Sequence, residues 1–266
     1  MPRRTSSLNR QFRNFTILMV LGIAAAIGWY AWQQGRISTD RSDRETTFTM
    51  YPGFGIALPN GYAIHGIDVS RYQTRINWPL VRNMREGDVR IGFAFMKATE
   101  GTTLHDPQFA RNWRKSREYG IVRGAYHFFS PAQNGARQAR YFLSKVTLMP
   151  GDMPPVLDVE RLGRLTKNQL QEEVQEWLNV VEEATGAKPI LYTNAQFYNN
   201  YLYPRFNDYP LWVAHYFEPN RPRVNSEWQF WQHSERGRVN GISGYVDFNV
   251  FKGDSANFRK LLIIGR

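Results

Sequence analysis

Four acidic side chains stand at the ends of apolar runs. Asp68 lies in Gly66-Ile67-Asp68-Val69-Ser70, Asp158 and Glu160 in Pro155-Val156-Leu157-Asp158-Val159-Glu160, and Asp247 in Tyr245-Val246-Asp247-Phe248. If these runs are strands, alternation puts Asp158 and Glu160 on one face, with Cα atoms about 6.6 Å apart and Val159 pointing away. Two such carboxyls repel, so one holds its proton to higher pH while the other stays ionised. A glycosidase needs that asymmetry: an acid for the leaving oxygen and an anion beside the anomeric carbon. A D-x-E triplet by itself also fits a solvated or ion-paired surface strand. The wholly apolar strand before it, and the two further acids, favour the crowded pair.

Six aromatic residues, Tyr126, Phe128, Tyr192, Trp212, Tyr216 and Trp231, fall at or near strand ends. Such rings either pack a barrel mouth or stack on the apolar faces of sugars. Lys97 and Glu100 read as a structural ion pair, and His65 and His127 as packed or hydrogen-bonded. The five histidines show no metal spacing, and neither a G-x-S-x-G elbow nor a phosphate-binding loop occurs, so no metal or cofactor is expected.

The elements that must carry these residues alternate in type. Strands are predicted at 63–69, 91–97, 123–129, 155–160, 189–193, 211–216, 228–233 and 244–250, and helices at 106–119, 133–146 and 166–185. In the last helix Leu170, Val174, Trp177, Leu178 and Val181 recur at helical spacing, Thr166 and Gln169 form a capping box, and Gly186 ends it. Repeated strand–helix–strand units imply a mostly parallel sheet, and about eight strands imply closure. The fold expected is an irregular TIM-like (β/α) barrel, irregular at its last three strands, with reactive groups at the carboxyl ends of the strands.

The chain has 266 residues, a net charge of +11 and no cysteine, which excludes disulfide scaffolds, zinc fingers, thiol nucleophiles and iron–sulfur sites. Five of the positive charges are arginines within residues 1–38, which contain no acid, leaving +6 for the remainder. With no nucleic-acid module and no other basic run, the charge points to an anionic polymer or surface rather than nucleic acid. Residues 15–32 carry no charge over eighteen positions, just enough for a membrane-spanning helix, and four arginines precede them. The division expected is a cytoplasmic basic tail at 1–14, an uncleaved anchor at 15–32, a linker at 33–60 and the barrel at 61–266. That places the barrel outside the cytoplasmic membrane as a monomer. A cleaved signal peptide and a buried core helix are the alternatives for the apolar run.

The stretch from His65 to Gln73 followed by Ile76-Asn77-Trp78 resembles the opening strand of glycoside hydrolase family 25, the Chalaropsis-type lysozymes. Phe95 to Gly101 with Asp106, Gly124 to Phe128, Pro155 to Glu160, Leu191 to Asn194, Leu211 to Ala214, Trp231-Gln232 and Val246 to Asn249 follow in that family's order. The resemblance spans residues 63–252. It implies hydrolysis of the β-1,4 bond between N-acetylmuramic acid and N-acetylglucosamine in peptidoglycan. Glu160 would be the general acid, Asp158 the carboxylate beside the anomeric centre, and Asp68 and Asp247 the flanking acids. It raises Tyr126, Tyr192 and Trp212 above the other aromatics as groove residues. Two other readings remain: a non-catalytic wall-binding barrel, and a glycosidase of another N-acetylated polymer such as chitin.

Overall fold

The structure is a computed structural model that describes residues 47–265. The expected anchor, the basic tail before it and the first part of the linker lie outside the described residues. Among the described residues no helix is long and apolar enough to cross a membrane.

The strands, in chain order, are β1 (Phe48–Tyr51), β2 (Ile56–Pro59), β3 (Ile64–Val69), β4 (Arg85–Glu86), β5 (Val89–Glu100), β6 (Leu104–His105), β7 (Val122–Phe128), β8 (Val156–Asp158), β9 (Ile190–Asn194), β10 (Leu211–Ala214), β11 (Phe230–Gly237) and β12 (Val246–Phe251). Eight of them close a barrel, and they are the eight predicted from sequence. From β3 through β5, β7, β8, β9, β10 and β11 each neighbouring pair is parallel. β12 then runs antiparallel to both β11 and β3 and seals the ring. The expected irregularity has a simple cause. Residues 238–245 between β11 and β12 are too few for a parallel crossover, so the chain turns back on itself.

Helices α1 (Trp78–Asn83), α2 (Phe109–Glu118), α3 (Gly135–Leu143), α4 (Lys167–Thr185) and α5 (Ser255–Leu261) accompany the strands. The capping box on α4 is formed in both directions between Thr166 and Gln169, and Gly186 closes the helix at φ 68°. The apolar stripe of α4, Trp177 and Leu178 included, is buried in one cluster with the outward side chains of the barrel, Met96, Leu157, Leu191 and Val213 among them.

Alternation sends the other parity inward. Phe93, Phe95, Val156, Ile190, Trp212 and Phe230 fill the barrel interior as a second apolar cluster. Two glycines make room for the rings. A Cβ on Gly66 would come within 2.4 Å of the Phe93 ring, and one on Gly124 within 2.6 Å of Phe95. Phe95 in turn stacks on Trp212, with ring centroids 4.2 Å apart. The floor is therefore solid, and the open end lies beyond these rings, at the carboxyl ends of the parallel strands.

Where the sequence suggests the end of a linker, β1 and β2 form an antiparallel hairpin. Phe54 at its turn is fully buried and meets Phe248 edge-on at 5.3 Å. Ile56 and Leu58 alternate with Ala57 and are buried too, so the hairpin is fastened to the outside of the barrel by ordinary period-two patterning.

Candidate active site

The open end of the barrel holds a cleft of about 310 Å³. Asp68 enters it from the end of β3, Asp158 from the end of β8, and Glu160 two residues further on. β12 runs the other way, so it is the start of that strand that reaches the same mouth, with Asp247 paired directly opposite Asp68. Register also sets Asp158 between Phe128 on β7 and Tyr192 on β9. The four acids expected together are together.

Asp68 is the most elaborately held. Its Oδ2 accepts from Gln232 Nε2 and from Asn249 Nδ2, each at 2.8 Å. These amides are oriented in turn: Trp212 Nε1 donates to Asn249 Oδ1 at 2.7 Å, and the hydroxyls of Tyr192 and Tyr216 donate to Gln232 Oε1. Burial pushes the Asp68 carboxyl up to about 6 from an ordinary 3.8, even with its amide donors pulling it down. Asp247 is pushed up to about 9 by burial first and by the charge of Asp68 second. At neutral pH Asp247 therefore keeps its proton and shares it with an ionised Asp68. One negative charge sits on the pair, held by three donors.

Asp158 and Glu160 are arranged differently. Asp158 is 6% exposed, and its Oδ1 has no hydrogen-bond partner among the described residues. Burial, then repulsion from Glu160, moves its titration well above the usual carboxylate range. Glu160 is half-buried and is also raised by burial, an effect opposed by the nearby charge of Arg161 and by the neighbouring Tyr192 hydroxyl. The pair keeps a proton to higher pH than ordinary carboxyls do, as general acid chemistry requires. Lys97 bonds Glu100 at 2.6 Å, the ion pair expected, and its ammonium lies 4.7 Å from the centre of the Phe128 ring.

Tyr126, Phe128, Tyr192, Trp212 and Tyr216 all line the cleft. Trp231 does not. It faces outward, its Nε1 donates to the His215 carbonyl at 2.9 Å, and its ring packs among Phe48, Tyr62 and Trp228 beneath the hairpin. The correction is one of parity: on β11 it is Phe230 and Gln232 that point inward, so the neighbour of Trp231 occupies the cleft. Gln232 and Asn249 were overlooked as site residues. Their signal was present, since Asn249 shares a face with Asp247 and Gln232 shares one with Phe230.

His127 lies outside the barrel wall, between Thr99 and Gln138, and stacks on Trp177. His65 is buried, with its pKa lowered to about 4 by burial. Among the described residues no group of three or more His, Asp or Glu side chains is arranged to hold a metal ion.

Comparison with known proteins agrees with this geometry. The family model described as "Glycosyl hydrolases family 25" matches residues 67–242. The uncharacterized protein YegX of Escherichia coli (strain K12) is 47% identical over 244 residues, covering 90% of each chain. Lysozyme M1 of Streptomyces globisporus is 36% identical over 214 residues, 74% of this chain and 71% of that one. The crystal structure of the bacterial lysozyme from Streptomyces coelicolor superposes with a TM-score of 0.68 at 35% identity, covering 76% of this chain and 98% of its own. With its eight-stranded barrel and its four acids in one cleft, this chain belongs to glycosyl hydrolase family 25.

Proposed function

We propose that this glycoside hydrolase is a muramidase that cleaves peptidoglycan at the β-1,4 bond between N-acetylmuramic acid and N-acetylglucosamine, with Glu160 as general acid and Asp158 as the stabilising carboxylate. The observation that carries the division of labour is the unpartnered, buried Oδ1 of Asp158. A buried acceptor without a donor is costly, and the N–H of a 2-acetamido group is the donor such a sugar brings. Bound there, the acetamido oxygen points at the anomeric carbon. With the sugar bound, the acetamido N–H favours an ionised Asp158, so the pair's proton rests on Glu160, which is less buried and gives it to the leaving oxygen as the C1–O bond breaks. The acetamido oxygen closes on C1, and Asp158 stabilises the positive charge that results. Water then attacks C1 as the bond from the acetamido oxygen breaks and the N-acetyl group is regenerated, and the water gives its proton to the Glu160 carboxylate, restoring the acid.

The Asp68–Asp247 pair supports this from the side, as a fixed single negative charge near the developing cation. A barrel that only bound the wall would gain nothing from four carboxyls crowded at this cost. The partly exposed rings of Tyr126, Phe128 and Tyr216 suit the apolar faces of sugar rings. The expected span at residues 15–32 anchors the barrel outside the cytoplasmic membrane, within reach of its substrate. Release of reducing ends from purified peptidoglycan, with chitin in parallel, tests the substrate. Cleavage of peptidoglycan is expected. Cleavage of chitin alone makes the chain a different glycosidase, and cleavage of neither makes it a binding protein.

A further inference from the structure

A second cavity, of about 420 Å³, adjoins the catalytic cleft. Tyr216 and Glu235 line both. One side is the hairpin, through Phe48, Ile56 and Ala57, and the other is the loop after β10, through Phe217 and Pro219. The hairpin lies before residue 67, where the match to the family model begins.

Three features mark it as a built site. His233 lines the chamber, is only 6% exposed, and has no hydrogen-bond partner on either ring nitrogen. Burial keeps that imidazole neutral, so it offers one donor and one acceptor. Phe217 holds a left-handed backbone at φ 56°, a conformation that bulky side chains avoid, and its ring is left 87% exposed beside the opening. Glu218 is neutralised by Arg223 at 2.7 Å and faces His215 at 3.5 Å, whereas Arg236 adds a guanidinium to the lining.

We propose that this chamber binds the first residues of the peptide stem carried on the lactyl group of N-acetylmuramic acid. The proposal rests on the muramidase reading of the neighbouring cleft. It joins the cleft through two residues, as a branch rather than a continuation, which is how a peptide leaves a glycan strand. Ile56 and Ala57 on one side and Pro219 on the other give it aliphatic walls that suit alanyl methyl groups. The donor and acceptor of His233 match the alternating C=O and N–H of an extended backbone, and Arg236 matches a free carboxylate of the stem. A further sugar would call for planar amides beside the rings, and the chamber lining holds none.

The test measures kcat/KM of the full chain on glycan strands bearing stem peptides and on the same strands stripped by an amidase. The wild type should prefer the stem-bearing strands by about tenfold or more, the scale set by one well-filled pocket. Ala57→Trp, which fills the chamber, and Phe217→Ala, at an exposed position that leaves the fold intact, should each lower that preference and leave the rate on stripped strands unchanged. Equal wild-type efficiency on both substrates overturns the proposal. So does an equal loss on both in the two variants, which would place a further sugar in the chamber. Absence of cleavage on either substrate overturns the muramidase reading itself, and this proposal falls with it.

Discussion

At the scale of single residues, the site contains two carboxyl pairs with different work. Asp68 and Asp247 share a proton and are tied into a network of two amides and three aromatic donors. Asp158 Oδ1 lacks such ties and Glu160 has the Tyr192 hydroxyl beside it, so this pair finds its remaining partners in the substrate. Glu160→Gln should abolish cleavage of wall polymer, a loss of about 10²–10⁴ in rate. Much of the rate should return on an aryl glycoside whose leaving group departs unprotonated. Asp158→Asn should stay slow on both substrates, because every leaving group needs the positive charge stabilised. Rescue of Asp158→Asn and not Glu160→Gln would exchange the roles. The Asp247 carboxyl makes a separate prediction. Its pKa, ordinarily 3.8, is about 9 in the folded protein, so folding binds a proton in that interval and stability falls as pH rises through it. Asp247→Asn keeps a donor toward Asp68 and removes the titration. The melting temperature of the variant relative to wild type should therefore climb between about pH 4 and pH 9 and level off above. A flat difference would show that Asp247 ionises normally.

At the scale of elements, the period-two rule explains both what the sequence made legible and what it hid. All eight barrel strands, and α4 with its caps, could be read because their patterns are local: alternation, a capping box, a terminal glycine. The acids could be read because carboxyls at the ends of apolar strands are conspicuous. Trp231 is deceptive because its aromatic character is conspicuous while its outward parity on β11 is not. Gln232 escaped notice because an amide that positions an acid leaves no charge signature. The hairpin was hidden because its apolar residues are few and its partners, Phe248 and Trp231, are nearly 200 positions away in the chain. The glycines of the barrel floor make a prediction at this scale. Gly66→Ala should cost about 1–3 kcal/mol in a urea melt, the usual cost of overpacking, since its Cβ would overlap the Phe93 ring. Adding Phe93→Leu should recover part of that loss. An equal loss in both variants would move the cause from the ring contact to the backbone.

At the scale of the whole molecule, the decisive question is where the barrel stands relative to the membrane. The topology we propose, with the amino terminus inside, rests on the four arginines before the apolar run. Alkaline phosphatase fused after residue 45 should be active, and the mature chain should begin at or next to Met1. A mature terminus between residues 26 and 40 would make this a secreted enzyme. Closure by an antiparallel last strand has a consequence for timing. The Asp68 carboxylate is held by Asn249 across 181 residues of chain, and its proton-sharing partner comes from the same final strand. A chain leaving the ribosome or a translocation channel from its amino end has no completed ring, and no finished set of acids, until β12 is free. A degradative enzyme with this connectivity is inert while it is still being made, and switches on only in the compartment that receives its carboxyl end.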